Sequence, residues 1–370
     1  MHRIRALVVS LVLIGGVLVP SLTAGARPGA TAPSLSDGNW IGTLAWSGNQ
    51  TGSPGDAGLT VDSGVFTGSG NLVLTAQGSR IEDSNYQMVI AGNLRGHDTS
   101  GALYDGYRTM HYSGSVGGTT SVPCLQGQYD IAGEVVVGTP AGPLSVSLRP
   151  GDLVQPVECA DNELNLDAAT CDEASGTFGL GFAAVNAAYS LRLDQDATFV
   201  LFRVGDRFTQ AQAEASARQL EDWSRRVATA PAGDVNTLRD VMDEVERAFG
   251  NAPRNASCRR ATGGPGRVAL AETLRTMTLG YLSRFADAGV DELATLIHAN
   301  YVVNGSTWND SDPYARRVRN ELYSSLDDLV GRLETARDAA GLERVEALAR
   351  RNGWTRVATN ARDAWSRVNG

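Results

Sequence analysis

The stretch "FVLFRVGDRFTQAQAEASARQLEDWSRRV" (199–227) decides the fold, because the spacing of its apolar residues changes partway along it. It opens with an aromatic and β-branched run of the kind that strands favour. From Thr209 onward the spacing is helical, and Leu220, Trp223 and Val227 fall on one face of a helix. The sequence therefore predicts a chain of two parts, the first built from strands and the second from helices.

The region 35–205 has the pattern of an antiparallel β-domain. Short runs of alternating apolar or β-branched residues are separated by Gly, Asp, Asn and Ser at intervals of roughly ten residues. This spacing is typical of a β-sandwich or a β-barrel. The runs are 40–46, 64–76, 85–94, 107–114, 128–138, 143–150, 175–182 and 197–204.

The region 208–370 predicts an α-helical bundle, because its apolar residues recur at steps of three and four. The longest apolar stripe, 318–340, is predicted to be one helix whose seam packs as in a bundle or a coiled coil. The predicted fold class is therefore α+β, with the β-domain first. The helical stripes are 220–227, 235–249, 274–285, 290–301, 318–340 and 354–368.

The first 26 residues have the three features of a secretory signal peptide. Arg3 and Arg5 form a positively charged start, an apolar run of 14 residues follows, and "AGA" at 24–26 provides a cleavage site. We therefore expect a secreted protein of the extracellular space or the cell envelope, without a transmembrane segment after cleavage. We expect the segment 27–34 to be disordered.

The charge of the chain is distributed unevenly. Residues 27–207 contain 8 Arg against 19 Asp and Glu, a balance of −11, whereas residues 208–370 contain 22 of each kind. An acidic half does not favour nucleic acid, whose binding needs clustered positive charge.

The chain contains no lysine, which excludes a Schiff-base lysine and a phosphate-loop lysine. A composition rich in Arg and Gly indicates a bacterial origin.

The four cysteines, an even number, predict disulfides in an exported protein. They allow three pairings, and in each of them one disulfide joins the β part to the helical part, since only Cys258 lies in the helical part. We favour a local Cys159–Cys171 disulfide and a Cys124–Cys258 disulfide between the two parts.

The acidic stretch "ECADNELNLDAATCDE" (158–173) has the ligand spacing of an EF-hand calcium loop. Its sixth loop position is Leu166, however, where an EF-hand requires glycine for a sharp turn. Two interpretations remain: an acidic loop closed by the Cys159–Cys171 disulfide and without metal, which we favour, and a looser calcium site. No other cofactor is predicted. The candidate calcium ligands are Asp161, Glu163, Asp167 and Asp172.

The segment "GALYDGYRTMHYSG" (101–114) concentrates aromatic side chains that have polar tips. Such side chains can stack on sugars or on other apolar ligands. If the segment forms a strand, Tyr107 and His111 share one face while Arg108 and Tyr112 share the other. The alternative is a half-buried strand without a ligand. The candidate ligand-binding residues are Tyr104, Tyr107, Arg108, His111 and Tyr112.

The sequence contains neither an H-E-x-x-H zinc motif nor a G-x-S-x-G nucleophile motif, and no catalytic residue is predicted. Our first hypothesis is a secreted, non-catalytic binding protein whose β-domain recognises an extracellular or cell-wall ligand, for example a glycan. One alternative is a secreted hydrolase that uses carboxylates of the β-domain. The other is a structural cell-envelope protein that self-associates through the seam at 318–340. The oligomeric state does not follow from the sequence.

Overall fold

The structure is a computed structural model of the chain. The predicted signal peptide (1–26) and most of the predicted disordered segment (27–34) lie outside the described residues, so both stay predictions. The structure describes residues 33–54, 60–139, 142–169, 172–179, 189–205, 208–231, 233–252, 265–304 and 313–370.

The β part is one antiparallel sheet of ten strands. The order is β6-β5-β4-β3-β2-β1-β10-β9-β8, and β7 pairs with β5 beside β6. The first five strands are 16 to 18 residues long and follow one another as neighbours in the sheet. The strands are β1 (Gly38–Pro54), β2 (Thr60–Gln77), β3 (Arg80–His97), β4 (Leu103–Gly118), β5 (Pro123–Thr139), β6 (Gly142–Leu148), β7 (Val154–Val157), β8 (Leu164–Ala169), β9 (Glu173–Phe178) and β10 (Tyr189–Arg203).

This sheet, followed by helices, confirms the predicted α+β fold class and the antiparallel β-domain. The sheet is open, because β6 and β8 end the strand order without pairing with each other in the described part of the chain. The sequence analysis missed β7 and β8. β7 has only four residues, and β8 lies within the acidic stretch 158–173, whose interpretation as a loop is wrong for this part.

The helical part contains seven helices within the described ranges, one more than the six apolar stripes predict. The predicted single helix over 318–340 is wrong, because the chain turns at Arg337, whose φ is 57°. Asp338 then accepts a hydrogen bond from the Gly341 N–H at 2.9 Å and caps the next helix. The helices are α1 (Gln210–Thr229), α2 (Val235–Asn251), α3 (Arg267–Arg284), α4 (Val290–Asn304), α5 (Pro313–Thr335), α6 (Ala339–Arg351) and α7 (Thr355–Asn369).

The chain divides into two compact units within α1. The first, which we call the β unit, extends to Ala217, and the second, the helical unit, begins at Arg218. In the helical unit the predicted seam of α5 is buried, with Val318, Leu322 and Leu326 at most 1% exposed. This part of the seam therefore packs within the chain.

The long strands β2 and β3 have one buried face and one exposed face, whereas β1 is buried on both faces over residues 40–44. In β2, Leu72 and Leu74 are buried whereas Val73 between them is 36% exposed. In β3, Ile90 is buried whereas Val89 is 44% exposed. Successive side chains of a strand point to opposite sides of a sheet. The sheet therefore has an apolar inner face, which forms the core, and an outer face.

Glycines on the inner face allow neighbouring strands to approach closely. A Cβ atom on Gly114 of β4 would lie 2.0 Å from the carbonyl oxygen of Gln126 in β5. The same conflict, with a backbone oxygen of the adjacent strand, recurs along the sheet. Glycines at such positions let a sheet bend, so this pattern explains why the β unit is rich in glycine. These positions are Gly42, Gly70, Gly92, Gly114, Gly127, Gly133 and Gly176.

A covalent link joins two parts of the sheet that are far apart in the strand order. A disulfide connects Cys124, at the start of β5, with Cys159, in a short 3-10 turn before β8. Beside it, the Leu125 N–H donates a hydrogen bond to the Asn162 carbonyl at 2.9 Å, and Cys124 forms a β-bridge with Glu163. The sheet therefore curls until β5 and β8 meet.

The core of the β unit reflects this curl. Leu164 of β8 and Phe178 of β9 belong to the same buried cluster as Tyr129 and Ile131 of β5. A flat sheet could not bring these residues into one core, since β5 and β8 are separated by six other strands in the order. The curled sheet thus encloses an apolar core to which strands from both ends of the order contribute.

The predicted disulfide pairing is wrong, because Cys124 is bonded to Cys159 and not to Cys258. A Cys159–Cys171 disulfide is also excluded, because the Cys159 sulfur is already bonded to Cys124. The short separation in sequence favoured that local pair, but the extended strand β8 follows the Cys159 turn and carries the chain about 20 Å away. Cys171 and Cys258 lie outside the described residues, so a disulfide between the two parts of the chain stays a prediction.

We expect Gly114→Ala to lower the free energy of unfolding of the β unit by about 3 kcal/mol, because the added methyl group would meet the backbone of β5. The matched control is Gly331→Ala in α5, where nothing lies within 4 Å of an added Cβ. This control should be neutral or stabilise the helix by up to about 1 kcal/mol. Thermal unfolding measures both changes. An unchanged melting temperature for Gly114→Ala would contradict the role of the inner glycines.

Candidate functional site

The predicted ligand-binding residues lie on β4 and are divided between the two faces of the sheet. Tyr107, 54% exposed, and His111 are on the outer face, whereas Tyr112, 2% exposed, is buried and Arg108 is half-buried on the inner face. The Tyr104 side chain lies outside the described residues. The alternation follows the sequence pattern, and it prevents these residues from forming one site.

The inner residues of β4 belong to the packed core. The rings of Tyr112 and Tyr129 are stacked with their centroids 4.9 Å apart. The Arg108 guanidinium lies 4.5 Å from the ring centroid of Phe66, which is a cation–π contact. Burial raises the pKa of the Tyr112 hydroxyl well above its usual value. These side chains therefore stabilise the fold and do not present a surface to a ligand.

Tyr86 of β3 is a further aromatic residue of this core, and it is 1% exposed. Burial raises the pKa of its hydroxyl to about 12. This hydroxyl has no hydrogen-bond partner among the described residues. The Tyr112 hydroxyl donates to the sulfur of Met110 at 4.0 Å, which is a weak acceptor. The core therefore uses the rings of these tyrosines and gains little from their hydroxyl groups.

The strand register places three further residues beside Tyr107 and His111 on the outer face. Val89 of β3 lies opposite His111, and His111 lies opposite Asp130 of β5. Asn93 of β3 lies opposite Tyr107. Side chains that face each other on adjacent strands are about 5 Å apart at Cβ. We call Val89, Asn93, Tyr107, His111 and Asp130 the outer patch.

The outer patch combines exposed apolar surface with fixed polar groups. The carboxylate of Asp130 is held by the Gly151 N–H, which lies 3.0 and 2.8 Å from its two oxygens. Tyr107 and Val89 are 54% and 44% exposed. This arrangement can stack on an apolar ring face and form hydrogen bonds with the hydroxyl groups around it.

Val89, Asn93 and Asp130 were not predicted from the sequence. They lie on strands other than β4, and only the register brings them together. The alternation of β3 does indicate that Val89 and Asn93 share a face. It does not indicate which residues of β4 they meet.

The candidate calcium ligands do not converge within the described part of the chain. Glu163 and Asp167 are exposed, whereas Asp172 is 6% exposed before β9. The Asp161 side chain lies outside the described residues. Among the described residues, no group of three or more His, Cys, Asp or Glu side chains could hold a metal ion. The calcium site therefore stays a prediction without support from the geometry.

His97 lies close to a serine in the sequence, but the two side chains have different partners. The His97 Nδ1 is 2.9 Å from the carboxylate of Asp62 on β2. The Ser100 hydroxyl donates to Asp98 at 2.6 Å. Ser100 is thus engaged in a local turn and is not paired with the histidine as a nucleophile would be.

The helical unit contains a groove of about 290 Å³ between α5 and α7. Arg367 donates two hydrogen bonds to Glu334 across it, at 2.6 and 2.9 Å. These bonds lower the pKa of Glu334 and raise that of Arg367. Asn360 donates to Asp327 at 2.8 Å. The polar lining of the groove therefore joins the two helices.

A chain of buried polar side chains links α3 and α4. Arg275 donates to Glu272 at 2.8 Å and, through Nε and Nη2, to the Asn304 side-chain oxygen at 3.2 and 3.1 Å. Asn304 donates to the Asn300 carbonyl at 3.0 Å, and Asn300 donates to the Thr278 hydroxyl at 2.8 Å. These polar contacts were not predicted from the sequence, because the apolar stripes carry no signal for them. Such directional contacts restrict how the two helices can pack.

No protein-family model matches the chain, and no curated protein is significantly similar to it. Within the described ranges, no helix combines the length and the apolar character needed to span a membrane.

We expect Tyr86→Phe to raise the free energy of unfolding by up to about 1 kcal/mol, because the change removes a buried hydroxyl that lacks a partner. The matched control is Tyr281→Phe in the helical unit, where the hydroxyl donates to Glu292 at 2.5 Å. Tyr281→Phe should lower the free energy of unfolding by about 2 kcal/mol. Thermal unfolding of both variants checks this. A clear loss of stability in Tyr86→Phe would mean that the core holds an acceptor for this hydroxyl. The buried tyrosines would then become candidates for ligand binding.

Proposed function

We propose that the protein is a secreted, non-catalytic binding protein whose β unit recognises an extracellular ligand through the outer patch. The observation that carries this proposal is the division of the β4 side chains. Tyr112 and Arg108 are used in the core, whereas Tyr107 and His111 are exposed to solvent on the outer face. A packed interior favours recognition at the surface over binding inside a cavity.

The chemistry of the outer patch favours a glycan of the cell wall as the ligand. A sugar presents an apolar ring face surrounded by hydroxyl groups, and the Tyr107 ring can stack on such a face. Around it, Asn93 can both donate and accept, His111 offers an imidazole, and Asp130 accepts through its carboxylate. The acidic balance of the β half disfavours a polyanionic ligand.

The Cys124–Cys159 disulfide supports the proposed location. Disulfides form and persist in oxidising surroundings, such as those of secreted and periplasmic proteins. The signal-peptide pattern of residues 1–26 points to the same compartments.

We expect Tyr107→Ala to weaken binding to the recognised glycan at least about tenfold, because aromatic side chains are enriched among the few residues that carry most of the binding energy of an interface. The measurement is retention of the purified protein on a panel of insoluble cell-wall glycans. The matched control is Tyr301→Ala in α4, since Tyr301 is 55% exposed and Tyr107 is 54% exposed. The control should bind like the wild type, and both variants should keep its melting temperature.

Two outcomes of this experiment count against the proposal. Equal retention of Tyr107→Ala and the wild type would remove the outer patch as the binding surface. Release of soluble sugars from the retained glycan would favour the alternative of a secreted hydrolase that uses carboxylates of the β unit.

A further inference from the structure

The outer face of β2–β5 forms a regular array of mostly uncharged side chains, many of them hydroxyls and amides, next to Tyr107 and Asn93 of the outer patch. The register aligns outward residues of the four strands in rows that cross the sheet. We call the twelve residues of three successive rows the outer array. The rows are Thr67–Ala91–Thr109–Ala132, Ser69–Val89–His111–Asp130 and Asn71–Gln87–Ser113–Gln128.

The outer array is nearly free of formal charge. Asp130 is its only carboxylate, and that group already accepts hydrogen bonds from Gly151. Most described acids of these strands and their connections lie at strand ends and turns instead, and the exception, Glu134 of β5, lies outside the array and accepts a hydrogen bond from the Ser147 hydroxyl. The surface of a small domain usually has about 25–35% charged residues, and this half of the chain has a balance of −11. We expect a neutral exposed face in such a domain to bind a partner that is itself uncharged. Examples of the acids at strand ends and turns are Asp62, Glu82, Asp83, Asp98, Asp105 and Asp152.

The array is also repetitive, and it lies over a packed inner face. Adjacent strands are about 4.8 Å apart, and outward residues of one strand repeat about every 7 Å. The inner face beneath it is packed, with Phe66, Met88 and Tyr112 at most 2% exposed. Hydroxyl and amide side chains such as those of Thr109 and Gln87 both donate and accept hydrogen bonds. A fixed lattice of such groups suits a polymer whose hydroxyl groups also repeat at fixed distances.

We infer that the ligand of the β unit is an ordered, uncharged polysaccharide that lies across strands β2–β5 on the outer array. This inference rests on the proposed function and narrows its ligand class. The neutral array makes hydrogen bonds with the polymer, Tyr107 at its border stacks on a sugar ring, and the surrounding carboxylates repel polyanions.

The first test measures depletion of the full-length mature protein from solution by insoluble cellulose and by insoluble chitin, with the polyanion pectate as the charged comparison. We expect binding to a neutral polymer that changes less than about twofold between 50 mM and 500 mM NaCl, since no ion pair is formed. Binding to pectate alone, or loss of binding at high salt, would overturn the inference.

The second test places a positive charge in the middle of the array. We expect Gln87→Lys to weaken binding at least about tenfold, because its ammonium group would have to lose water against a neutral polymer. The matched control is Gln77→Lys, an exposed residue at the end of β2 outside the array, which should bind like the wild type. Gln128→Lys, in the same row as Gln87, repeats the test if Gln87→Lys has a lowered melting temperature.

The outcomes separate this inference from the proposed function. If Tyr107→Ala abolishes retention while Gln87→Lys and Gln128→Lys bind normally, the array is not the binding surface and the outer patch alone is. If the wild type is retained on none of the glycans, the proposed function fails and the inference fails with it.

Discussion

The closure of the β unit between the start of β5 and the turn before β8 is the constraint on which the other features depend. An open sheet of ten strands has two edges and would leave its apolar inner face in water. The Cys124–Cys159 disulfide and the Leu125–Asn162 hydrogen bond bring the two regions together. In the chain-entropy model a disulfide that closes a loop of 35 residues stabilises the folded state by about 4 kcal/mol.

The curl of the sheet determines which residues are available for recognition. Inner-face glycines such as Gly114 let the strands approach, and the enclosed space is filled by large rings, including those of Tyr86, Tyr112 and Tyr129. The outer face, where the same strands present polar side chains and Tyr107, is therefore the face that the proposed function assigns to the ligand. β4 thus contributes side chains both to the core and to the proposed binding surface.

The sequence predicted the features that follow from periodicity within one segment, namely element type and strand faces. It did not predict the features that depend on contacts between distant segments. The change of period after Phe199–Val204 predicted two parts, and alternation placed Tyr107 and Tyr112 on opposite faces. The turn at Arg337 was missed because the apolar stripe continues in phase across it. The disulfide pairing and the neighbours of Tyr107 were missed because both follow from the curl and the register of the sheet, which arise from long-range packing.

Disulfide mapping of the unreduced protein tests the closure most directly. Cleavage after Arg and Glu would separate the cysteines into the peptides 109–134, 159–163, 164–173 and 255–259. The structure predicts that mass spectrometry finds 109–134 linked to 159–163, that is, Cys124 to Cys159. A link between 159–163 and 164–173, or between 109–134 and 255–259, would contradict the curled sheet and the outer face derived from it.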